Sequence, residues 1–269
     1  FKLAFAGIRS RLLASALTVA IAGAASATIV LALEVRSSGL DPWHQTFAAA
    51  NGAHVLAYVS SQDDARALAE LPGVTEWGAP VPHTTVTVGA RRSTDRAFLA
   101  GLSRPTAVNR PVLTAGSQLR EDGIVLERSL ANALGIEVGS TLAITGGSGS
   151  IDLPVLGTAV VPSQPRYPRR NPGLAWVTPA TLERVEPDRT AWRWTEALRL
   201  TNPSAAAAFT EQARTAFGAT NRSGDLSFET WQVQRDYALG DAQPIQVIVT
   251  TFTILLLIVA FVVVGILVG

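Results

Sequence analysis

Two long runs without a charged residue lie near the ends of the sequence and constrain its fold more than any other feature. Leu12–Leu33 has 22 residues, and Val247–Gly269 has 23. A helix of 22 residues is roughly 33 Å long, enough to cross a hydrocarbon core of about 30 Å. We therefore predict transmembrane helices at 12–35 and 247–269. A cleaved signal peptide is the alternative for the first run, but the run exceeds the usual apolar length of about 7 to 15 residues.

The charges around the first run predict its orientation. Lys2, Arg9 and Arg11 precede it with no acidic residue among them, whereas Glu34 follows it. Because basic residues favour the cytoplasmic side, residues 1–11 are expected to be cytoplasmic. A helix there would place Phe1, Phe5 and Ile8 on one face, which predicts an amphipathic segment at the lipid bilayer, and a frayed end is the alternative. Residues 36–246 then lie outside, in a multi-pass protein of the cell (inner) membrane. The sequence starts at Phe1 and stops within an apolar run, so we expect it to be part of a longer protein.

Small residues recur along the first predicted span. Ala16, Ala20, Gly23 and Ala27 are three or four positions apart, which places them on one helical face where another helix can approach closely. The spacing predicts helix packing in the membrane. The alternative is that a generally alanine-rich sequence produces the pattern without any role in packing.

Composition excludes several classes of protein. The chain is 48% hydrophobic and 16% charged, which is too apolar for a disordered protein. Its 22 basic and 21 acidic residues give a net charge of +1, so no overall field favours nucleic acid. Cysteine is absent, which excludes disulfides and thiolate metal sites.

Residues typical of helix starts and helix ends predict two strand-helix-strand units in residues 36–246. A short helix beginning at Asp41 and ending at Asn51 or Gly52 comes first. In each unit a strand leads through a capping residue into a helix that ends at a glycine, and a second strand follows. The first unit is a strand at His54–Ser60, a helix from Ser60 or Ser61 to Pro72-Gly73, and a strand at Val74–Trp77. The second unit is a strand at Glu196–Leu200, a helix from Asn202 to Phe217, and a strand at Ser227–Trp231.

The middle of the segment predicts an inserted β-rich subdomain. Short strands at Gly123–Leu126, Thr141–Thr145 and Ile151–Gly157 surround a helix at Arg128–Leu134. The glycine-rich residues 146–150 are predicted to be a loop between two strands, because a phosphate-binding loop ends in Gly-Lys-Ser/Thr.

The sequence offers no convincing catalytic constellation. His44, His54 and His83 are isolated from one another, which is unlike the spacing of metal ligands. The Gly147–Gly149 triplet lacks the long helix that follows a nucleophilic serine, and the paired carboxylates occur at helix starts or turns. We therefore expect a protein that is not an enzyme, with no catalytic, cofactor-binding or metal-binding residues of its own.

One loop is a candidate contact with an anionic lipid headgroup, an extracytoplasmic partner or cargo. It spans Pro162–Gly173 and contains Arg166, Tyr167, Arg169 and Arg170 among four prolines. The alternative is a solvated loop, since charged residues are common in proline-rich loops.

The stretch Gly123–Gly146 (GIVLERSLANALGIEVGSTLAITG) resembles a passage of the MacB/FtsX-like permease family of ABC transporters. Leu71–Val74, Leu153–Gly157 and Trp176–Leu182 resemble further passages in the same order, so that the resemblance spans nearly the whole chain. The residues that match within the first stretch are Val125, Leu126, Ser129, Leu130, Ala131, Leu134, Gly135, Val138, Gly139 and Thr141.

The resemblance implies an α+β membrane protein in which two transmembrane helices flank an extracytoplasmic α/β porter-like domain with an inserted β-rich subdomain. It implies a partner ABC ATPase that binds ATP and Mg²⁺, and a second permease copy or half. Motion would pass through stalks at Arg36–Ala50 and Trp231–Gln246 without opening a tunnel. The expected domain bounds are 1–11 (N-terminus), 12–35 (first span), 36–115 (first porter-like segment with its stalk), 116–192 (inserted subdomain), 193–246 (second porter-like segment with its stalk) and 247–269 (second span).

The leading hypothesis is therefore a permease subunit of an ABC exporter or mechanotransmission complex. The alternative is a membrane-bound sensory receptor with an extracytoplasmic ligand-binding domain, because receptors share the layout of span, domain and span. Two further apolar spans after Gly269 would favour the permease, and a coiled coil or kinase would favour the receptor. No residue distinguishes among possible cargoes.

Overall fold

The computed structural model describes residues 41–90, 93–103, 106–218 and 226–238, together with the single positions 23, 26, 27, 30, 240, 251, 254, 255 and 258. Among these, no helix is both long and apolar enough to span a bilayer. Gly23 and Ala27 are helical and exposed. Lys2, Arg9, Arg11, Ala16 and Ala20 fall outside the described residues, as does most of both predicted spans, so the predictions on topology and helix packing stay predictions.

The chain divides into two compact units. One comprises Phe1–Pro42 and Leu239–Gly269, of which few residues are described, and the other comprises Trp43–Ala238. The second unit is an α+β domain. Its N-terminal half contains α1 (Asp41–Ala49, which begins just before the unit), β1 (Val55–Val59), α2 (Gln62–Ala69), β2 (Val74–Trp77), β3 (Val81–Ala90), β4 (Ser93–Gly101) and β5 (Val112–Gly116).

The C-terminal half of this domain alternates single short helices with strands. It contains β6 (Ile124–Glu127), α3 (Arg128–Leu134), β7 (Thr141–Gly146), β8 (Gly149–Val160), β9 (Gly173–Val177), α4 (Pro179–Val185), β10 (Arg193–Leu200), α5 (Ala206–Gly218) and β11 (Ser227–Thr230), with short 3-10 helices at Arg189–Ala191 and Pro203–Ala205. Residues 231–238 are helical.

The strands form one sheet that runs through the whole domain. Nine of them follow the order β11-β1-β10-β3-β4-β9-β6-β8-β5, while β2 pairs with β10 and β7 pairs with both β3 and β8. The pairs β4–β9 and β6–β8 are parallel, and the other pairs are antiparallel. A shared sheet therefore connects the two strand-helix-strand units with the β-rich region.

Helices cover one face of this sheet. At one end, α2 and α5 bury Leu68 and Phe209 against Val55 and Leu198 of the strands. Towards the other end, α3 and α4 bury apolar residues such as Leu130 against the β-rich strands. Trp194 of β10 packs against both clusters and links them. Successive strand residues point to opposite faces, so the residues between these core positions face the other side of the sheet.

The two ends of the domain meet at neighbouring strands. In the antiparallel pair β1–β11, Val55 lies opposite Thr230. The Trp231 amide donates to the His54 carbonyl oxygen at 3.0 Å. α1 thus leads into the start of β1 next to the point where the chain leaves β11 for the helical residues 231–238.

The structure confirms both predicted strand-helix-strand units. Ser61 is the N-cap of α2, and its hydroxyl accepts from the Asp64 amide at 3.1 Å. Asn202 caps the 3-10 turn that leads into α5. The residues predicted as the helix of the inserted subdomain form α3, and Gly135 ends it with a φ of 63°.

The hairpin β3–β4 was not anticipated. The alternation Thr84 to Val88 (TTVTV) is a strand signal, and every second residue of β3 is buried. β3 pairs with β7, and β4 pairs with β9. The β-rich region therefore begins before residue 116, where the inserted subdomain was expected to start.

Candidate functional site

The sheet face opposite the helices forms the floor of a cavity of about 470 Å³. Five adjacent strands, β1, β10, β3, β4 and β9, contribute alternate residues to it. These residues are mostly apolar or aromatic: Leu56, Tyr58, Val81, His83, Phe98, Ala100, Leu174, Trp176, Thr195 and Ala197. The floor exists because each of these strands presents its other residues to the helix-covered core.

Two irregular segments enclose the cavity. Val108 and Asn109 come from the segment after β4, and Val161, Ser163 and Gln164 come from the segment after β8. Asn109 donates from Nδ2 to the Ser163 hydroxyl at 3.0 Å and so ties the two segments together. Since its carboxamide oxygen is buried without a hydrogen-bond partner in the described part of the chain, Asn109 has an unused acceptor.

His83 lies among aromatic rings on the floor. Its ring centroid is 5.5 Å from that of Phe98 and 6.3 Å from that of Tyr58, and both contacts are edge-on. Burial lowers the pKa of His83 to about 4, so the imidazole is neutral at pH 7. Nδ1 lies 3.3 Å from the Thr195 hydroxyl.

Tyr58 is also kept neutral. Burial, followed by the charge of Glu229, raises the pKa of its phenol. Both titratable rings of the floor, His83 and Tyr58, are therefore uncharged at neutral pH.

Arg170 supplies a cation to the cavity lining. Its Nη2 lies 2.7 Å from Oε2 of Glu229, which belongs to β11 and is buried. Burial lowers the pKa of Arg170, but the hydrogen bond and charge of Glu229 outweigh this and the net change is upward. Within the described ranges, Nη1 of Arg170 and Oε1 of Glu229 are buried and have no hydrogen-bond partner. Arg193 is the other charged side chain that lines the cavity, and no carboxylate does so among the described residues.

The structure separates the four residues that the sequence grouped as a contact site. Arg170 faces the cavity, whereas Arg166 and Arg169 are exposed. Tyr167 is buried: its amide donates to the Ser129 hydroxyl at 2.8 Å, and its own hydroxyl donates to Asp95. Tyr167 thus anchors the loop. The contact of the loop with lipid, partner or cargo stays a prediction.

His54 and the glycine-rich turn take part in the packing and hydrogen bonding of the fold. His54 accepts from the Leu200 amide at Nδ1, at 2.9 Å, and burial followed by the charge of Arg199 lowers its pKa. The loop predicted at 146–150 is shorter in the structure, because Gly146, Gly149 and Ser150 belong to the paired strands β7 and β8 and only residues 147–148 form the turn. Among the described residues, no three histidine, aspartate or glutamate side chains lie together in a metal-binding arrangement.

Sequence reasoning missed most of the cavity. Its lining residues come from six strands and from three segments between strands, spread between residues 56 and 227. No local motif joins them, and only Arg170 belonged to a predicted site. The alternation within each strand is the sole sequence signal, and it becomes informative only once the strand order is known.

No model of a known protein family matches the chain, and no curated protein matches it. Among solved structures, the extracellular domain of the noncanonic ABC-type transporter YknZ from Gram-positive bacteria is similar, with a TM-score of 0.40 and 10% identity, over 66% of this chain and 100% of that one. The periplasmic region of MacB from Actinobacillus actinomycetemcomitans is similar with a TM-score of 0.38 and 11% identity, over 68% of this chain and 91% of that one.

Proposed function

We propose that this chain is part of a permease subunit of an ABC exporter or mechanotransmission complex, in which a partner ATPase supplies the energy. The main observation in support of the proposal is that the two ends of the domain lie side by side, at the paired strands β1 and β11. A domain placed between two transmembrane helices needs its entry and exit close together. Here Val55 and Thr230 are direct neighbours in the sheet.

This arrangement favours mechanical coupling. The predicted stalks, Arg36–Ala50 and Trp231–Gln246, include α1 and the helical residues 231–238, which adjoin β1 and β11. Hydrogen-bonded ladders then connect β11, β1, β10 and β3 in succession. A displacement of either stalk would act on the same edge of the sheet and pass to the β-rich region through packed, hydrogen-bonded elements.

The passage that resembles MacB/FtsX-like permeases supports the proposal. It folds as the expected strand, helix, turn and strand, in which Gly135 and Gly139 adopt positive φ angles of 63° and 89°. Leu130 and Leu142 of this passage are fully buried. Val125, Leu126, Leu130 and Ala131 of the resembling residues thus form part of the domain core.

The remaining elements of the proposal follow from the resemblance and the predicted spans. The chain would lie in the cell membrane with residues 36–246 outside, act as a dimer with a second permease copy or half, and bind no nucleotide itself. ATP and Mg²⁺ would be held by the ABC ATPase. The chain would move a substrate or extracytoplasmic partner without catalysing a reaction.

A sensory receptor is the second candidate, and the cavity of about 470 Å³ favours it. Ligand pockets are typically about 300–1,000 Å³. A receptor needs such a cavity to bind its signal, whereas the mechanical coupling of a permease does not require one.

Copurification separates the two candidates. The full-length protein, isolated in mild detergent, should retain a P-loop ATPase whose vanadate-sensitive activity disappears when its Walker lysine is changed. Absence of any bound or fused ATPase would overturn the permease proposal.

A distance measurement tests the coupling itself. The chain contains no cysteine, so Asp63→Cys and Glu137→Cys can carry spin labels at two exposed positions without background labelling. A permease should show a change in the label-to-label distance when ATP and vanadate are added to the complex. The Walker-lysine variant of the ATPase provides the control, because its distance should not change.

A further inference from the structure

We propose that the cavity binds an amphipathic anion, a molecule with one apolar chain that lies on the aromatic floor and one carboxylate or phosphate group that reaches Arg170. This inference does not depend on an ATPase partner.

The dimensions of the cavity and its floor favour an apolar chain. Its volume is typical of a small-molecule pocket. Phe98 and Trp176 give it broad aromatic surface, and His83 adds a neutral ring because its pKa is about 4. A small inorganic anion would leave this surface in contact with water, whereas burial of an alkyl chain contributes about 25 cal/mol for each Å² removed from water.

The charges of the lining favour an anionic end. Its charged side chains are Arg170 and Arg193, and none among the described residues is acidic. The ion pair with Glu229 uses Nη2 of Arg170 and leaves the buried Nη1 without a hydrogen-bond partner in the ranges that the structure covers. The Arg170 side chain as a whole is 33% exposed and lines the cavity, so a ligand oxygen would reach the guanidinium there while Glu229 holds Nη2. Charge-assisted hydrogen bonds of this kind are stronger than neutral ones.

A polar buried atom of Asn109 adds a further requirement. Its carboxamide oxygen is an unused acceptor on the same cavity wall, so a hydroxyl or amide donor on the ligand would improve binding. An amphipathic cation would instead meet the arginines and find no carboxylate on the described lining. The residues of the lining therefore favour a ligand with a negatively charged headgroup as well as an apolar tail.

Photolabelling of the full chain in phosphatidylcholine nanodiscs tests this site. The probe is hexadecanoate with a diazirine on its chain, and the labelled peptides are identified by mass spectrometry. We expect labelling of the peptides that contain Phe98 and Trp176. Unlabelled hexadecanoate and hexadecyl phosphate should compete, whereas hexadecanol and hexadecyltrimethylammonium should not.

Variants identify the contacts. The double variant Arg170→Gln/Glu229→Gln removes the guanidinium without leaving a buried unpaired carboxylate, and it should reduce labelling about tenfold, the loss expected for one charge-assisted hydrogen bond. Arg166→Gln is the matched control, because Arg166 belongs to the same loop but is exposed and does not line the cavity. Ala197→Phe, which fills the floor without changing a charge, should also reduce labelling.

The competition series on the unmutated chain tests whether the cavity binds an amphipathic anion even if a variant fails to fold. Competition by hexadecanol as strong as that by hexadecanoate, or no label in the Phe98 and Trp176 peptides, overturns the proposal. Nanodiscs that contain lysophosphatidylglycerol, which has one acyl chain and a phosphate, distinguish two sources of the same chemistry. A loss of labelling there identifies a single-chain membrane lipid as the ligand, and unchanged labelling identifies a free single-chain carboxylate.

Discussion

The guanidinium of Arg170 and the carboxylate of Glu229 are 2.7 Å apart, although 59 residues separate them in the sequence. The pair joins the loop after β8 to β11, the strand from which the chain leaves the domain. It therefore connects the cavity wall with the end of the domain that leads to the second predicted stalk.

Removing one member of this pair should destabilise the domain more than removing both. Arg170→Gln leaves the Glu229 side chain, which is 7% exposed, without its counter-ion, and we expect a loss of about 3 kcal/mol in the free energy of unfolding. The double variant with Glu229→Gln should lose less. A double-mutant cycle from chemical denaturation measures the difference.

Asp63→Ala provides the control for this cycle. Its pair with Arg66 is exposed on both sides, so the expected loss is below about 0.5 kcal/mol. Additive effects of the two changes at Arg170 and Glu229 would contradict the coupling.

Glu196 should make the domain less stable as the pH rises. It lies opposite Ala57 in the β1–β10 pair and is fully buried. Burial raises its pKa to about 8 from 4.5, and the nearby backbone amides of Ala197 and Gly78 offset this rise only in part. Between these values the folded state keeps a proton that the unfolded state releases, so stability is lost as the pH rises from 4.5 to 8.

Glu196→Gln tests this expectation. The variant should match the unmutated chain near pH 4.5 and exceed it by a few kcal/mol above pH 8, because glutamine cannot ionise. Thermal unfolding across this pH range gives the comparison, and Glu137→Gln is the exposed control. An equal pH dependence with and without Glu196 would argue against a protonated carboxyl.

His83 should act in the opposite direction. Its pKa is about 4 in the folded domain and 6.5 in the unfolded chain, so only the unfolded state gains a proton between these values. Stability should therefore fall as the pH drops from 6.5 to 4. His83→Gln should remove this part of the acid dependence, while His44→Gln, at an exposed position, should leave it intact. An imidazole NMR titration of His83 with a midpoint near 6.5 would refute the burial argument.

Two glycines with positive φ should respond differently to alanine. At Gly135 (φ 63°), an added Cβ meets nothing within 4 Å, so Gly135→Ala should cost only the backbone strain of about 1–2 kcal/mol. At Gly116 (φ 79°), the Cβ would lie 2.3 Å from the Leu156 carbonyl oxygen, and the loss should be clearly larger. Equal losses in a denaturation series would mean that the strand pair β5–β8 yields easily.

Local signals were sufficient where the sequence itself marks an element's ends. Ser61 and Asn202 cap helical segments as predicted, and Gly135 ends α3. The hairpin β3–β4 has no capping residue or helix-ending glycine at its ends, and it is not predicted from the sequence. Strand order was beyond local reasoning, because it depends on pairings such as Val55 with Thr230 that join distant regions of the chain.

In the candidate site, too, the sequence shows which residues are close along the chain but not which partners they meet in the fold. The arginines around Tyr167 were visible as a cluster, yet the cluster does not act as one surface, because the buried Tyr167 hydroxyl donates to Asp95 and Arg170 turns to Glu229. Which side chain points inwards was decided by partners on β4 and β11. The sequence of the loop does not contain those partners.

The neighbouring positions of Val55 and Thr230 mean that the order of the chain can be changed without changing the sheet. A short linker between the two ends of the domain, with new termini at the turn between Gly146 and Gly149, would give a circular permutant that keeps every strand pair described. In a permease of the proposed kind, the predicted stalks would then join the domain at its β-rich region, and any function that depends on displacing β1 and β11 would be lost while the fold and its cavity were retained.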